Sequence, residues 1–118
     1  MIRDLRFPRR VRLVDAAAYK AVFEGARRRS SSALTLLARI NTLGHARLGI
    51  VVGKKQEKSA VGRNRVKRLI RESFRHHQEL LSGLDLVVLV RRPMILMENK
   101  NIFTELAGQW QAIAQCKK

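Results

Sequence analysis

The sequence predicts a single α+β domain, and three observations carry that prediction. Alternating apolar residues run through ALTLLARI (33–40), RLGIVVGKK (47–55) and LDLVVLVRR (84–92). Two longer stretches, 59–81 and from about Glu98 onward, repeat apolar residues at helical spacing. A chain of 118 residues with 46% hydrophobic content can fill one core and is too short for a second.

The elements follow in order. Residues 1–13 form a basic arm, with five arginines between residues 3 and 12 around Phe7 and Pro8; it is either a plain tail or a segment that orders on contact with RNA. Asp15 is placed to cap a short helix, with Val14 and Tyr19 at the two positions of a hydrophobic staple. Tyr19, Val22 and Phe23 share one apolar face, which composition alone assigns to core packing, and Gly25 can end the helix. Arg27, Arg28, Arg29 and three serines then lead into the 33–40 strand. A turn around Gly44 and the strand 47–53 follow, and these two strands are expected to pair antiparallel. Gly49 and Gly53 thin one face of the second strand, either for tight packing or a bulge, or to let an extended ligand lie close, and Lys54 and Lys55 end it within reach of such a ligand. After the helical stretch 59–81, Gly83 is a breaker. Residues 84–90 are apolar on both faces, as in an inner strand, and Pro93 ends that run. Ile102, Phe103, Leu106, Trp110 and Ile113 form the stripe of a last amphipathic helix, with Trp110 in the core and 114–118 as a short tail.

Charge points to the class of partner. The net charge is +16, from 25 Lys and Arg against nine Asp and Glu. Residues 1–81 hold 20 basic and six acidic side chains, and residues 82–118 only five and three. An excess this large attracts polyanions, so nucleic acid is the expected partner and the first two thirds of the chain should meet it. No stretch has the apolar length of a membrane span, and a cytoplasmic setting is expected. The single Cys116 cannot make an internal disulfide.

The 59–81 helix concentrates this charge. At about 100° per residue, Leu69, Leu80, Val66, Ile70, Leu81 and Phe74 fall in one arc, with Arg63 on its midline. Lys67, Arg71, Asn64, Arg75, Arg68 and Arg65 spread over the remaining side. Like charges one turn apart, as in Arg63, Lys67, Arg71 and Arg75, cost the free helix a few tenths of a kcal/mol per pair. Arginine dominates, and its planar fork matches phosphate oxygens in pairs. A phosphate-bearing ligand removes the repulsion. Asn64, the neutral polar residue among them, could orient an arginine, contact a base or sugar, or simply face water.

Chemistry internal to the chain finds little support. The nine carboxylates are scattered in sequence, His45, His76 and His77 show no ligand spacing, and GRNRVKR lacks the glycine framework of a P-loop. No metal site is assigned to the protein.

The string RLGIVVGKK followed by SAVGRNRVKRLIRESFR resembles the signature region of the bacterial ribonuclease P protein subunit. The matching positions are Ala60, Val61, Arg63, Asn64, Arg65, Lys67, Arg68, Arg71 and Glu72. RRVRL at 9–13, YKAVF at 19–23, the Arg-Ser run at 28–32 and LDLVVLVRR extend the likeness over most of the chain. One departure is Gly62, where the family usually carries a side chain.

The resemblance implies an α-β-β-β-α-β-α sandwich with a four-stranded sheet and a left-handed crossover, related to a domain of a small-subunit ribosomal protein. The short Arg-Ser segment would supply the fourth strand. It also implies an auxiliary role: a catalytic RNA subunit, holding Mg2+, removes the 5′ leader from precursor tRNA, and the protein assists. Arg63, Asn64, Arg65, Lys67, Arg68, Arg71 and Arg75 would then contact the catalytic RNA. Tyr19, Phe23, Lys54 and Lys55 would line a cleft for the single-stranded leader, and Arg9, Arg10, Arg12 and Arg28 would add basic contacts. No obligate protein partner and no membrane are expected. The alternative is a structural ribosomal or other RNA-binding protein with no part in cleavage.

Overall fold

The computed structural model describes residues 11–13 and 16–115, so the expected cap at Asp15, the staple residue Val14, Arg9, Arg10 and Cys116 lie outside the described residues. The elements are α1 (Ala16–Gly25), β1 (Arg27–Ser30), β2 (Leu34–Ile40), β3 (Arg47–Val51), α2 (Ala60–Arg75), β4 (Leu84–Val90), α3 (Arg92–Ile95) and α4 (Asn99–Ala114). This is the α+β sandwich on a mixed four-stranded sheet that the resemblance implies, with one short helix added after β4.

The sheet order is β1-β2-β4-β3. The expected antiparallel pairing of the second and third strands is therefore not formed. β4 lies between them, antiparallel to β2 and parallel to β3. The reason lies in composition: a strand apolar on both faces is best hidden between two neighbours with helices above and below. The 41–46 connection carries the chain past the end of β4, where Asn41 N–H donates to the Gly83 carbonyl at 2.8 Å. Asn41 Nδ2 then donates to the His45 carbonyl at 3.1 Å and to Asp85 Oδ1 at 2.8 Å.

Alternation divides the sheet into two faces. Leu34, Leu36 and Ala38 of β2, Leu48 of β3, and Leu84, Leu86, Val88 and Val90 of β4 join the main core with Val66, Leu69, Ile70 and Phe74 of α2 and the apolar stripe of α4. Leu37 and Val87 face the other way and form a smaller cluster with Leu13 and with Val22 of α1. Trp110 is fully buried as expected. Its ring meets Phe74 edge-on, with centroids 6.3 Å apart, and its Nε1 donates to Ser73 Oγ at 2.9 Å.

Asp85 is the buried carboxylate of the sheet. Arg47 grips it with two hydrogen bonds, at 2.8 and 2.7 Å, across the parallel β3–β4 pair. Burial alone would raise its pKa, but the bonds from Arg47 and Asn41 and the charges of Arg47 and Arg39 outweigh that effect and hold it below the ordinary aspartate value.

α2 ends at Arg75, one and a half turns before the expected Leu81, and residues 76–83 form successive turns. Of the two leucines expected to continue the apolar stripe, Leu80 is exposed; Leu81 is buried, but it reaches the core from a turn that redirects the chain into β4. Gly83, at φ 84°, completes that reversal.

Candidate nucleic-acid interface

The N-terminus of α2 is built from three residues. Ser59 Oγ accepts from Gly62 N–H at 3.2 Å, and Glu57 Oε1 accepts from Ser59 N–H at 3.0 Å. A Cβ on Gly62 would lie 2.8 Å from the Glu57 side chain. The missing side chain at this position therefore leaves room for a carboxylate at the positive end of the helix, where it is favoured.

The basic residues of α2 separate into two groups. The first is occupied within the protein. Arg63 does not extend outward: its Nη1 donates to the Glu57 and Lys58 carbonyls, both at 2.9 Å, and so ties the preceding loop to the first turn. Arg65 reaches in the other direction, to the Ile95 carbonyl at 3.2 Å, the Met97 carbonyl at 2.8 Å and Asn99 Oδ1 at 2.7 Å. It thereby joins α2 to the α3–α4 connection. Arg75 pairs with Glu72, which also bonds His76 Nε2 at 3.1 Å.

The second group faces outward. Asn64, Arg68 and Arg71 are exposed and Lys67 is half-buried. Asn64 and Arg68 line one groove of about 440 Å³ together with Arg65 and Val61. Val61 is 79% exposed, which sets an apolar contact beside the charges. Lys67 and Arg71 turn instead toward the β3 edge and line a separate cleft with Tyr19, Arg12, Gly49 and Ile50.

That cleft owes its shape to a glycine. A Cβ on Gly49 would stand 2.6 Å from the Tyr19 ring, so the ring lies directly on the strand backbone. Of the two expectations for the strand glycines, tight packing describes Gly49; around Gly53 there is open space. Leu13 N–H donates to the Leu48 carbonyl at 3.0 Å, so residues 11–13 cover the first part of the β3 edge. Two residues on, the Ile50 backbone turns to the same side, where it hydrogen-bonds the Tyr19 hydroxyl. Burial raises the phenol's pKa, only partly offset by that bond and by the positive charge of Arg71. Tyr19 thus keeps its proton at neutral pH and remains a hydrogen-bond donor. The cleft, at about 120 Å³, is far smaller than the ~300–1,000 Å³ of a small-molecule pocket. It suits a ribose, a base edge or a phosphate of a longer strand.

The remaining predicted residues are spread around these features. Phe23 is 48% exposed, one turn along α1 from Tyr19, and so is not the core residue that composition suggests. Lys54 and Lys55 are exposed in a turn, because β3 ends at Val51 rather than at the lysines. Arg28 lies on β1 at the opposite edge of the sheet from β3. Sequence reasoning did not find the tether made by Arg65, and it did not separate Lys67 and Arg71 from Asn64 and Arg68. Helical angles place all of these on one broad polar side and cannot tell which neighbour each side chain meets.

The described residues offer no cluster of donors for a protein-held magnesium ion. Among the described residues no three His, Cys, Asp or Glu side chains converge. The carboxylates nearest the basic face are engaged, Glu57 by Ser59 and Glu72 by Arg75 and His76. Likewise, no described helix is long and apolar enough to cross a membrane.

Comparison with known proteins gives a consistent result. Residues 7–114 match the family model for ribonuclease P. The chain is 44% identical over 109 residues to the ribonuclease P protein component of Vibrio cholerae, covering 92% of each chain. It is also 44% identical over 110 residues to that of a Marinomonas species, covering 92% of this chain and 83% of the relative. Among solved structures, the ribonuclease P protein of Staphylococcus aureus superposes with a TM-score of 0.77 at 29% identity, covering 83% of this chain and 90% of the other. That of Thermotoga maritima gives 0.73 at 26% identity, covering 80% and 89%. The matched span contains both the basic helix and the Tyr19 cleft, and the chain belongs to the bacterial ribonuclease P protein family.

Proposed function

We propose that this chain is the auxiliary subunit of a cytoplasmic ribonuclease P, assisting a catalytic RNA that removes the 5′ leader from precursor tRNA. The observation that carries the finer reading is the division of the α2 charges between two surfaces. Asn64 and Arg68, with Val61, face outward as a dock for the folded catalytic RNA. Lys67 and Arg71 join Tyr19 over Gly49 and receive the unpaired leader. Stacking and phosphate contacts of this kind accept any base, as a subunit serving many precursors requires. Arg63 and Arg65 act from within by fixing the loops on either side of the helix, while Phe23, Lys54, Lys55 and Arg12 extend the leader track.

In this reading magnesium is held by the RNA, and the protein supplies no nucleophile or general base. Its part is to neutralise phosphates brought close together and to position the substrate strand. The test is reconstitution with a bacterial ribonuclease P RNA. The protein should lower the magnesium concentration needed for cleavage and should do nothing to precursor tRNA without that RNA. Arg68→Ala should weaken binding to the RNA subunit, while Tyr19→Ala should weaken binding of long-leader precursors and spare mature tRNA. Equal losses for both substrates in the Tyr19 variant would refute the leader assignment.

A further inference from the structure

The loop between β3 and α2, residues 52–59, carries Lys54, Lys55 and Lys58 against a single acid, Glu57. Like charges this close in the chain repel one another, and the space around Gly53 is open, so no packing holds the loop there. Its backbone closes one turn on itself: the Gly53 carbonyl accepts from Gln56 N–H at 3.0 Å and from Glu57 N–H at 3.3 Å. With that turn alone, the lysines would have to be ordered by whatever they bind, and binding would lose the conformational freedom of the loop.

Arginines from two helices clamp the loop instead. Arg63 of α2 takes the Glu57 and Lys58 carbonyls, and Arg92, the first residue of α3, donates from Nη1 to the Gln56 carbonyl at 2.7 Å. Three successive carbonyl groups are thus held by guanidinium groups. α3 is a firm base for this, because Met94 and Ile95 are buried in the main core and Arg65 bonds the Ile95 and Met97 carbonyls. Arg63, Arg65 and Arg92 close a frame that runs from the lysine loop through α2 to the α3–α4 connection and back to the loop.

Arg92 does not serve its own helix. A cation at a helix N-terminus meets the positive end of the helix dipole, and a guanidinium bonded to a loop with three lysines sets like charge near like charge. Its side chain is exposed, where a hydrogen bond adds little to the stability of the fold. What the bond does determine is where the loop lies.

We infer that Arg92 is a positioning residue for RNA: it holds the Gln56 carbonyl so that Lys54 and Lys55 stand ordered before a strand arrives, and binding then loses less freedom. This role rests on Lys54 and Lys55 being part of the leader track. The rival use of the same side chain is a direct phosphate contact through its remaining N–H groups, and the two differ in how Arg92 couples to the lysines.

Two measurements test it. In the protein alone, amide hydrogen exchange of Gln56 and Glu57 should speed up about fivefold in Arg92→Gln, the scale of one lost hydrogen bond, while amides of β4 and of the middle of α2 keep their wild-type rates. In holoenzyme reconstituted with a bacterial ribonuclease P RNA, Arg92→Gln should weaken binding of a long-leader precursor tRNA by about fivefold, and should have no effect once Lys54→Gln/Lys55→Gln is present. Arg92→Lys, which keeps a donor on a long stem, should restore most of the slow exchange and most of the affinity. Equal losses in both backgrounds mean that Arg92 touches RNA directly and overturn the inference, while the lysines keep their place in the track. Unchanged exchange at Gln56 and Glu57 overturns it as well. If the double lysine variant binds the long-leader precursor as tightly as the wild type does, the leader track is wrong at these lysines and the role of Arg92 falls with it.

Discussion

Substituting Gly49 by alanine should expose the dependence of the cleft on a single missing methyl group. The added Cβ would sit 2.6 Å from Cε1, Cζ and the hydroxyl of Tyr19, against a comfortable carbon–carbon separation of about 3.6 Å, so the ring must retreat by roughly 1 Å. It can do so, because it is the far end of a side chain with two rotatable bonds. Retreat breaks the hydrogen bond with the Ile50 backbone and loosens ring packing, and the two effects together cost about 1–2 kcal/mol. In a Tyr19→Ala background the clash vanishes. Gly49 has no positive φ, so alanine there should be neutral or should stabilise by about 0.4–1 kcal/mol through the unfolded chain. The same substitution is thus expected to change sign with its background, and the coupling between the two sites should be about 1.5–3 kcal/mol. Urea denaturation of the four proteins in the cycle measures it. An equal effect of Gly49→Ala in both backgrounds would refute the claim that the glycine exists to seat the ring. Gly49→Ala should also reproduce the long-leader binding defect of Tyr19→Ala while leaving RNA-subunit binding intact.

Other consequences can be checked separately. Arg65→Lys should lower stability by about 1–2 kcal/mol in urea titrations, because one ammonium cannot reach Ile95, Met97 and Asn99 together; full retention of stability would count against the tether. Asp85→Ala should cost about 3 kcal/mol by leaving Arg47 and Asn41 without their acceptor. Because the folded-state pKa of Asp85 is lowered, its stabilisation is fully present above the ordinary aspartate value and is lost as pH falls through the folded value. The wild type should therefore lose more stability than Asp85→Asn between neutral pH and pH of about 3, and parallel pH profiles would contradict this. Trp110→Phe should destabilise by about 2–3 kcal/mol, since it leaves a void and an unpaired Ser73 hydroxyl; a loss under about 0.5 kcal/mol in the same assay would show that the contact contributes little.

Much of the architecture was legible because it rests on period and apolar content. The alternation in 33–40 and 84–90 identifies β2 and β4, and the Trp110 stripe identifies α4. Neighbour relations were less legible. The pairing of 33–40 with 47–53 is the cheaper local choice, and only the two-sided apolar character of β4 argues for its insertion between them. α2 was overextended because Leu81 continues a helical stripe although it reaches the core from a turn. At the interface the residue types were readable and their roles were not. Arg63, Arg65 and Arg75 look like ligand contacts in the sequence, yet their partners lie on segments whose approach is set by tertiary structure. β1 reads as a charged linker, since nothing apolar in RRRS marks a strand; its backbone is held by β2.

The insertion of β4 also bears on when this protein can begin to act. β3 carries the floor of the Tyr19 cleft, but among the described strands its sole partner is β4, and Arg47 waits for a carboxylate 38 positions downstream. Until β4 has been synthesised, β3 lacks its described strand partner, and α2 has no complete sheet to support its apolar side. The most basic part of the chain is thus synthesised first and shaped last. A nascent fragment attracts RNA only through loose charge, and an ordered seat for a strand arises once the central strand closes the sheet.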